Sequence, residues 1–144
     1  MAKPIPDGYT AVTPYLILKD VAAELDFVVR AFGATVHTKM TGPDGSIGHC
    51  DVSLHGAHVM MGQAHGPHDP TPTMLYLYVA DADAVHAAAL AAGAALDMPV
   101  TDQFYGDRAG SVKDANGVTW WIATHKEDLS EAQLAERMRA MPKK

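Results

Sequence analysis

The chain says nearly the same thing twice. Pro14-Tyr15-Leu16-Ile17-Leu18-Lys19-Asp20 leads into an apolar-periodic stretch closing at Ala31-Phe32-Gly33-Ala34. About sixty residues later, Leu75-Tyr76-Leu77-Tyr78-Val79-Ala80-Asp81 leads into another that closes at Ala91-Ala92-Gly93-Ala94. A second echo follows, because residues 48–56 are framed by glycines around a strand and turn much as residues 110–117 are. A repeat of this length restricts the chain to one supersecondary unit used twice. Each unit reads as a strand, a helix and three further strands, an α+β arrangement.

The elements follow from periodicity. Residues 12–18 are an apolar run interrupted by Pro14, which suits a strand near a sheet edge. Asp20 is placed to cap the next helix. There Val21, Leu25, Val28, Val29 and Phe32 form one predicted apolar stripe, and Gly33 ends it in a left-handed conformation. Residues 36–40 read as a strand and 42–45 as a turn. From His49 to His55 the pattern alternates, with Cys50, Val52 and Leu54 on one face and His49, Asp51, Ser53 and His55 on the other, which is a strand with a buried, inert thiol. The first module is thus expected over about residues 10–63, and a Pro/His-rich linker over 64–73. The second module covers about residues 74–125, with its helix at 83–92. A last helix, at about 130–141, begins with Ser130 and Gln133 in capping-box positions and carries Leu134, Met138 and Met141 as a narrow docking face.

Bulk properties remove several classes. With 144 residues, the chain suits a single domain of two small modules sharing a core. A formal charge of −6 argues against a nucleic-acid surface. No apolar run approaches the length of a membrane span, and the first residues lack the apolar stretch of a secretory signal, so a cytoplasmic location is expected. Cys50 is alone and cannot form an internal disulfide. No glycine loop for phosphate and no Gly-x-Ser-x-Gly elbow is present.

Two tandem strand–helix–three-strand modules resemble the vicinal oxygen chelate superfamily, which includes glyoxalase I, ring-cleaving dioxygenases, fosfomycin-resistance thiol transferases and bleomycin-resistance proteins. Within it, several motifs in order look like the PhnB-like branch. They are Phe104-Tyr105-Gly106-Asp107-Arg108, Asp114 with Asn116-Gly117, Trp120, Ala123-Thr124-His125, and Glu127-Asp128-Leu129-Ser130. The resemblance implies curved sheets around a cavity and, in metal-using members, a divalent ion held from the first and last strands of each module. Those places fall here at Thr13, Leu75, Met61 and Trp121, none of which is a His, Asp or Glu. No metal and no cofactor is therefore expected. A relocated metal site at His49 with Asp51 is the one alternative in the histidine pattern.

Carried along each strand, these places predict an apolar, aromatic-lined pocket. Thr13, Tyr15 and Ile17 would face in, with Val59, Met61 and Gln63, Leu75, Leu77 and Val79, and Thr119, Trp121 and Ala123. Trp120 would point to the helix layer. Tyr105 and Arg108, on the loop feeding the penultimate strand, complete the expected ligand-binding set of Thr13, Tyr15, Met61, Leu75, Leu77, Tyr105, Arg108 and Trp121. Arg108 has a second reading, as a loop-fixing partner of Asp107 or Asp114. The function expected is small-molecule binding with no catalytic residue. The alternative that the resemblance leaves open is a metal-dependent lyase, transferase or dioxygenase. A homodimer is expected, since each open sheet has edges and an apolar surface to cover.

Overall fold

A computed structural model describes residues 2–142. The first module runs β1 (Tyr15–Leu18), α1 (Val21–Phe32), β2 (Thr35–Thr41), β3 (Ile47–Leu54) and β4 (Ala57–Gln63). The second runs β5 (Met74–Tyr78), α2 (Ala82–Ala91), β6 (Ala95–Asp102), β7 (Asp107–Lys113) and β8 (Thr119–His125), followed by α3 (Glu131–Ala140). The sheets repeat one topology, β1-β4-β3-β2 and β5-β8-β7-β6, with the outer pair β1–β4 or β5–β8 parallel and the rest antiparallel. Among the described residues no helix is long and apolar enough to cross a membrane.

Local chemistry places the elements. Asp20 and Asp81 each accept a backbone N–H three residues on, from Ala23 and Ala84 at 3.1 Å, so both helices start at the repeated aspartate. Gly33 adopts φ 67° and its N–H closes α1, a conformation glycine takes without steric cost. Register shifts in β2 and β6 break the ladders of these two outer strands, which are exposed along almost their whole length. β1 is shorter than the apolar run suggests. It begins at Tyr15, because Pro14 has no N–H to donate and the preceding residues bend back, Thr10 Oγ1 donating to the Val12 carbonyl at 2.7 Å.

The helix-bearing faces of the two sheets meet in one continuous core. Here α1 departs from its expected stripe. Its buried residues are Val21, Glu24, Phe27, Val28, Ala31 and Phe32, while Val29 is 41% exposed. The rotation follows from the partner module. α2 packs along α1, Arg30 donates to the Ala92 carbonyl at 3.0 Å, and Phe32 lies 4.8 Å from the Trp120 ring. Asn116 stitches the junction, its amide exchanging hydrogen bonds with the Asp20 backbone at 2.8 and 2.9 Å and donating to Glu24 Oε1 at 3.1 Å.

α3 carries the expected capping box, but none of its residues is buried. Leu134 is half-buried, whereas Met138 and Met141 are exposed. The helix is held instead by Arg137, which grips the Glu127 carboxylate at 2.8 and 2.9 Å and the Phe104 carbonyl at 3.1 Å. Glu127 and Asp128 thus precede α3 rather than opening it.

Candidate functional site

Strand pairing decides which side chains share a face. In the first sheet Tyr15 lies beside Met60 and Met60 beside Asp51, while Leu16, Met61 and Cys50 form the next row. The latter row is buried under α1, so Tyr15, Met60 and Asp51 look away from the helices. In the second sheet Leu75, Trp120 and Val112 form the core row, and Tyr76, Trp121 and Ser111 the row on the helix-free face. Both sheets are open within the single chain: Tyr15 is 47%, Tyr76 41% and Tyr78 56% exposed.

The second open face holds the densest chemistry. Asp107, at the start of β7, is buried, yet three groups from other strands converge on it. Tyr76 and Tyr78 from β5 donate to Oδ2 at 2.7 and 2.9 Å, and His125 at the end of β8 meets Oδ1 at 3.2 Å. Tyr105 joins through its hydroxyl, 3.0 Å from that of Tyr76. The Tyr76 phenol is pushed well above its ordinary value, first by burial and then by its bonds to Tyr105 and Asp107. The Tyr78 phenol is raised chiefly by its bond to Asp107. His125 is also bonded to Asp128 at 2.8 Å, and the two carboxylates, Asp128 first, raise its pKa. Trp121 stacks beside Tyr76, ring centroids 6.2 Å apart and planes 13° from parallel. The outcome is an aromatic floor on which the Tyr76 and Tyr78 phenols are held as donors to the buried Asp107.

The first open face carries a different set. Tyr15 reaches His49 Nδ1 at 2.9 Å and lies across Gly62, where a Cβ would sit 2.6 Å from its hydroxyl. Asp51 is buried and takes the Tyr9 hydroxyl and His58 Nδ1, the latter at 3.0 Å.

Several expected positions therefore move. Met61 and Leu77 are buried in the shared core, with Leu75 packed against it, so Met60, Tyr76 and Tyr78 hold the open-face places. Val59 and Val79 go inward with them. Thr13 lies before β1, its hydroxyl 3.4 Å from the Thr10 carbonyl. Arg108 turns from the open face and from Asp107 and Asp114. It clamps Asp83 at 2.7 and 3.0 Å and Asp102 at 3.2 Å, because alternation in β7 puts it on the α2 side. Tyr15, Tyr105 and Trp121 do reach the open faces. Trp120 is 1% exposed and donates its indole N–H to Asp114 at 2.9 Å. Asp107, His125 and Tyr78 went unread as a site. The alternation of Tyr76 and Tyr78 about a core leucine was the available signal.

A divalent ion does not suit the four places facing the open side. Tyr15, Met60, Tyr76 and Trp121 supply two phenols, a thioether and an indole, and Tyr76 donates its proton to Asp107. His49 and Asp51 share a face but are committed to Tyr15 and to His58 with Tyr9. Among the described residues no group of three or more His, Cys, Asp or Glu is arranged to hold an ion.

Known proteins share this architecture. An uncharacterized protein of Mycobacterium bovis is 35% identical over 138 residues, covering 87% of this chain and 91% of its own. TioX from Micromonospora sp. ML1 superposes with a TM-score of 0.71 at 26% identity, over 81% of this chain and 98% of its own. At lower identity the fold alone is shared with two others. TnmS3, an antibiotic binding protein from Streptomyces sp. CB03234, gives 19% and TM-score 0.64 over 82% and 100% of the two chains. The PhnB protein from Bacillus cereus gives 21% and 0.63 over 80% and 99%. The sequence profile that matches this protein runs from residue 9 to residue 122, and the chain belongs to the Glyoxalase/Bleomycin resistance protein/Dioxygenase superfamily.

Proposed function

We propose that the protein binds a small, flat molecule on the open face of the second sheet and performs no chemistry on it. The observation that carries this reading is the aromatic floor of Tyr76, Tyr78, Tyr105 and Trp121, half-exposed and braced by buried Asp107. Rings on a rigid strand pair offer stacking area at little entropic cost, and their protonated phenols offer directed hydrogen bonds. The reading agrees with the antibiotic binding in the description of TnmS3. The donor set on the four strands, two phenols, a thioether and an indole, does not suit a metal ion.

The partner completing the site is a second copy of the chain. Met40 and Tyr15 leave the open face of the first sheet with exposed apolar side chains, as Met98, Met74 and Tyr78 leave that of the second. A twofold pair closes both open faces at once. In this arrangement Tyr15 and Met60 of one copy cover the floor of the other. The test is a fluorescence titration with a panel of flat aromatic compounds, including aromatic antibiotics, against wild type and Trp121→Ala. Saturable binding by at least one compound, lost in Trp121→Ala, is expected. No binding across the panel, or binding indifferent to residue 121, refutes the reading.

A further inference from the structure

We propose that the crevice between the two modules is a second binding site, which Trp121 does not line, and that it takes a single-ring phenol through His58. β1 begins only at Tyr15, paired with Met60, so residues 57–59 of β4 run past its end and face β5 across a gap. The lead-in around Gly8 and Thr10 closes that gap into a cavity of about 210 Å³. Its walls are Leu54, Val59, Leu75, Tyr76, Leu77 and Trp120, with His58 supplying a ring nitrogen. An apolar void of roughly 150 Å³ is enough for one benzene ring, so the volume fits a single ring with a substituent.

The acceptor is set by what stands behind it. His58 Nδ1 lies 3.0 Å from Asp51 Oδ1. Asp51 is 3% exposed and takes the Tyr9 hydroxyl on its other oxygen, and the Tyr9 ring stacks on His58 at 3.8 Å. A carboxylate accepts only, so Nδ1 carries a proton, and in the tautomer this fixes Nε2 is the nitrogen with the lone pair. Among the described residues no hydrogen bond reaches Nε2. It faces the cavity wall at Gly8, where a Cβ would lie 3.4 Å away. A lone pair in an apolar cavity, with the buried Asp51 side chain behind the ring, favours a neutral hydroxyl donor. It disfavours a carboxylate, and a hydrocarbon leaves it unpaired.

The experiment is a fluorine NMR titration of the full-length protein with 4-fluorophenol, fluorobenzene and 4-fluorobenzoate. 4-Fluorophenol is expected to bind about tenfold more tightly than fluorobenzene, the worth of one hydrogen bond, and the benzoate most weakly. His58→Leu should erase that advantage while retaining fluorobenzene. Nuclear Overhauser contacts in the wild type should run from the ligand ring to the Leu75 and Leu77 methyls. These contacts decide the matter even if His58→Leu fails to fold. Equal affinity for the three compounds, a phenol preference surviving His58→Leu, contacts to Trp121 instead, or no saturable binding overturns the proposal.

Discussion

Replacing Glu24 by Gln should make the protein more stable, by an amount that grows with pH. Glu24 is 1% exposed, with Oε1 taking the Asn116 amide and Oε2 unpartnered beside Asp114. Asp114 already accepts from the N–H groups of Asn116 and Val118 and from the Trp120 indole, so both its oxygens are held as acceptors. Burial first, then the bond to and charge of Asp114, push the Glu24 carboxyl up to about 9. An unfolded glutamate titrates near its ordinary value, so between those limits the folded chain holds a proton that the unfolded chain has released. Stability from this group is fully present below the unfolded value and falls by about 1.4 kcal/mol per pH unit as the pH climbs toward the folded one. From pH 5 to pH 7 the loss is on the order of 3 kcal/mol. Gln fills the same space, can still donate toward Asp114, and has no proton to lose. Urea unfolding followed by tryptophan fluorescence at pH 5, 6, 7 and 8 measures the difference between the two proteins. It should widen at every step in favour of Glu24→Gln. A gap that stays constant across this range would falsify the assignment of a protonated Glu24.

The two adjacent tryptophans should separate cleanly. Trp120→Ala should cost roughly 3–5 kcal/mol in denaturant unfolding, since it empties the core against Phe32 and strips Asp114 of a donor. Trp121→Ala should cost clearly less and act on ligand binding instead; the reverse ranking would put the register off by one. Chelation with EDTA should leave the melting temperature of tag-free protein unchanged, because the side chains at the four open-face places do not suit an ion whose binding would stabilise the fold. A drop of several degrees, restored by one particular ion, would contradict this. Light scattering at micromolar concentration should report about twice the 15.3 kDa chain, and a clean monomer would remove the partner from the proposed site.

The repeat, the Asp20 cap and the succession of elements in each module were legible because each rests on local signals: a capping side chain, a turn glycine, an alternation. The phase of the first strands was not. Leu16-Ile17-Leu18 and Leu75-Tyr76-Leu77 are apolar at every position, so a period of two has no polar face to fix it, and Met60-Met61 offers the same residue twice. Only pairing resolves it: Leu75 beside Trp120 goes to the core, and Tyr76 beside Trp121 faces out. The Asp107 cluster draws on β5, β7 and β8, contacts between positions 18 to 31 residues apart that no local pattern encodes. Glu24 escaped for a related reason. It sits beside the stripe read from α1 alone, and only the second module, arriving with Asp114 and Asn116, turns that side of the helix inward.

The central claim is that the Trp121 side of the second sheet is a ligand floor closed by a second copy. A crystal structure grown with the tightest compound from the aromatic panel tests it most directly. The account predicts a twofold dimer with the compound stacked on Trp121, near the Tyr76 and Tyr105 hydroxyls, and with Tyr15 of the other copy across it. A dimer whose paired sheets leave no room for a ligand, or a compound seated away from Trp121, would contradict it.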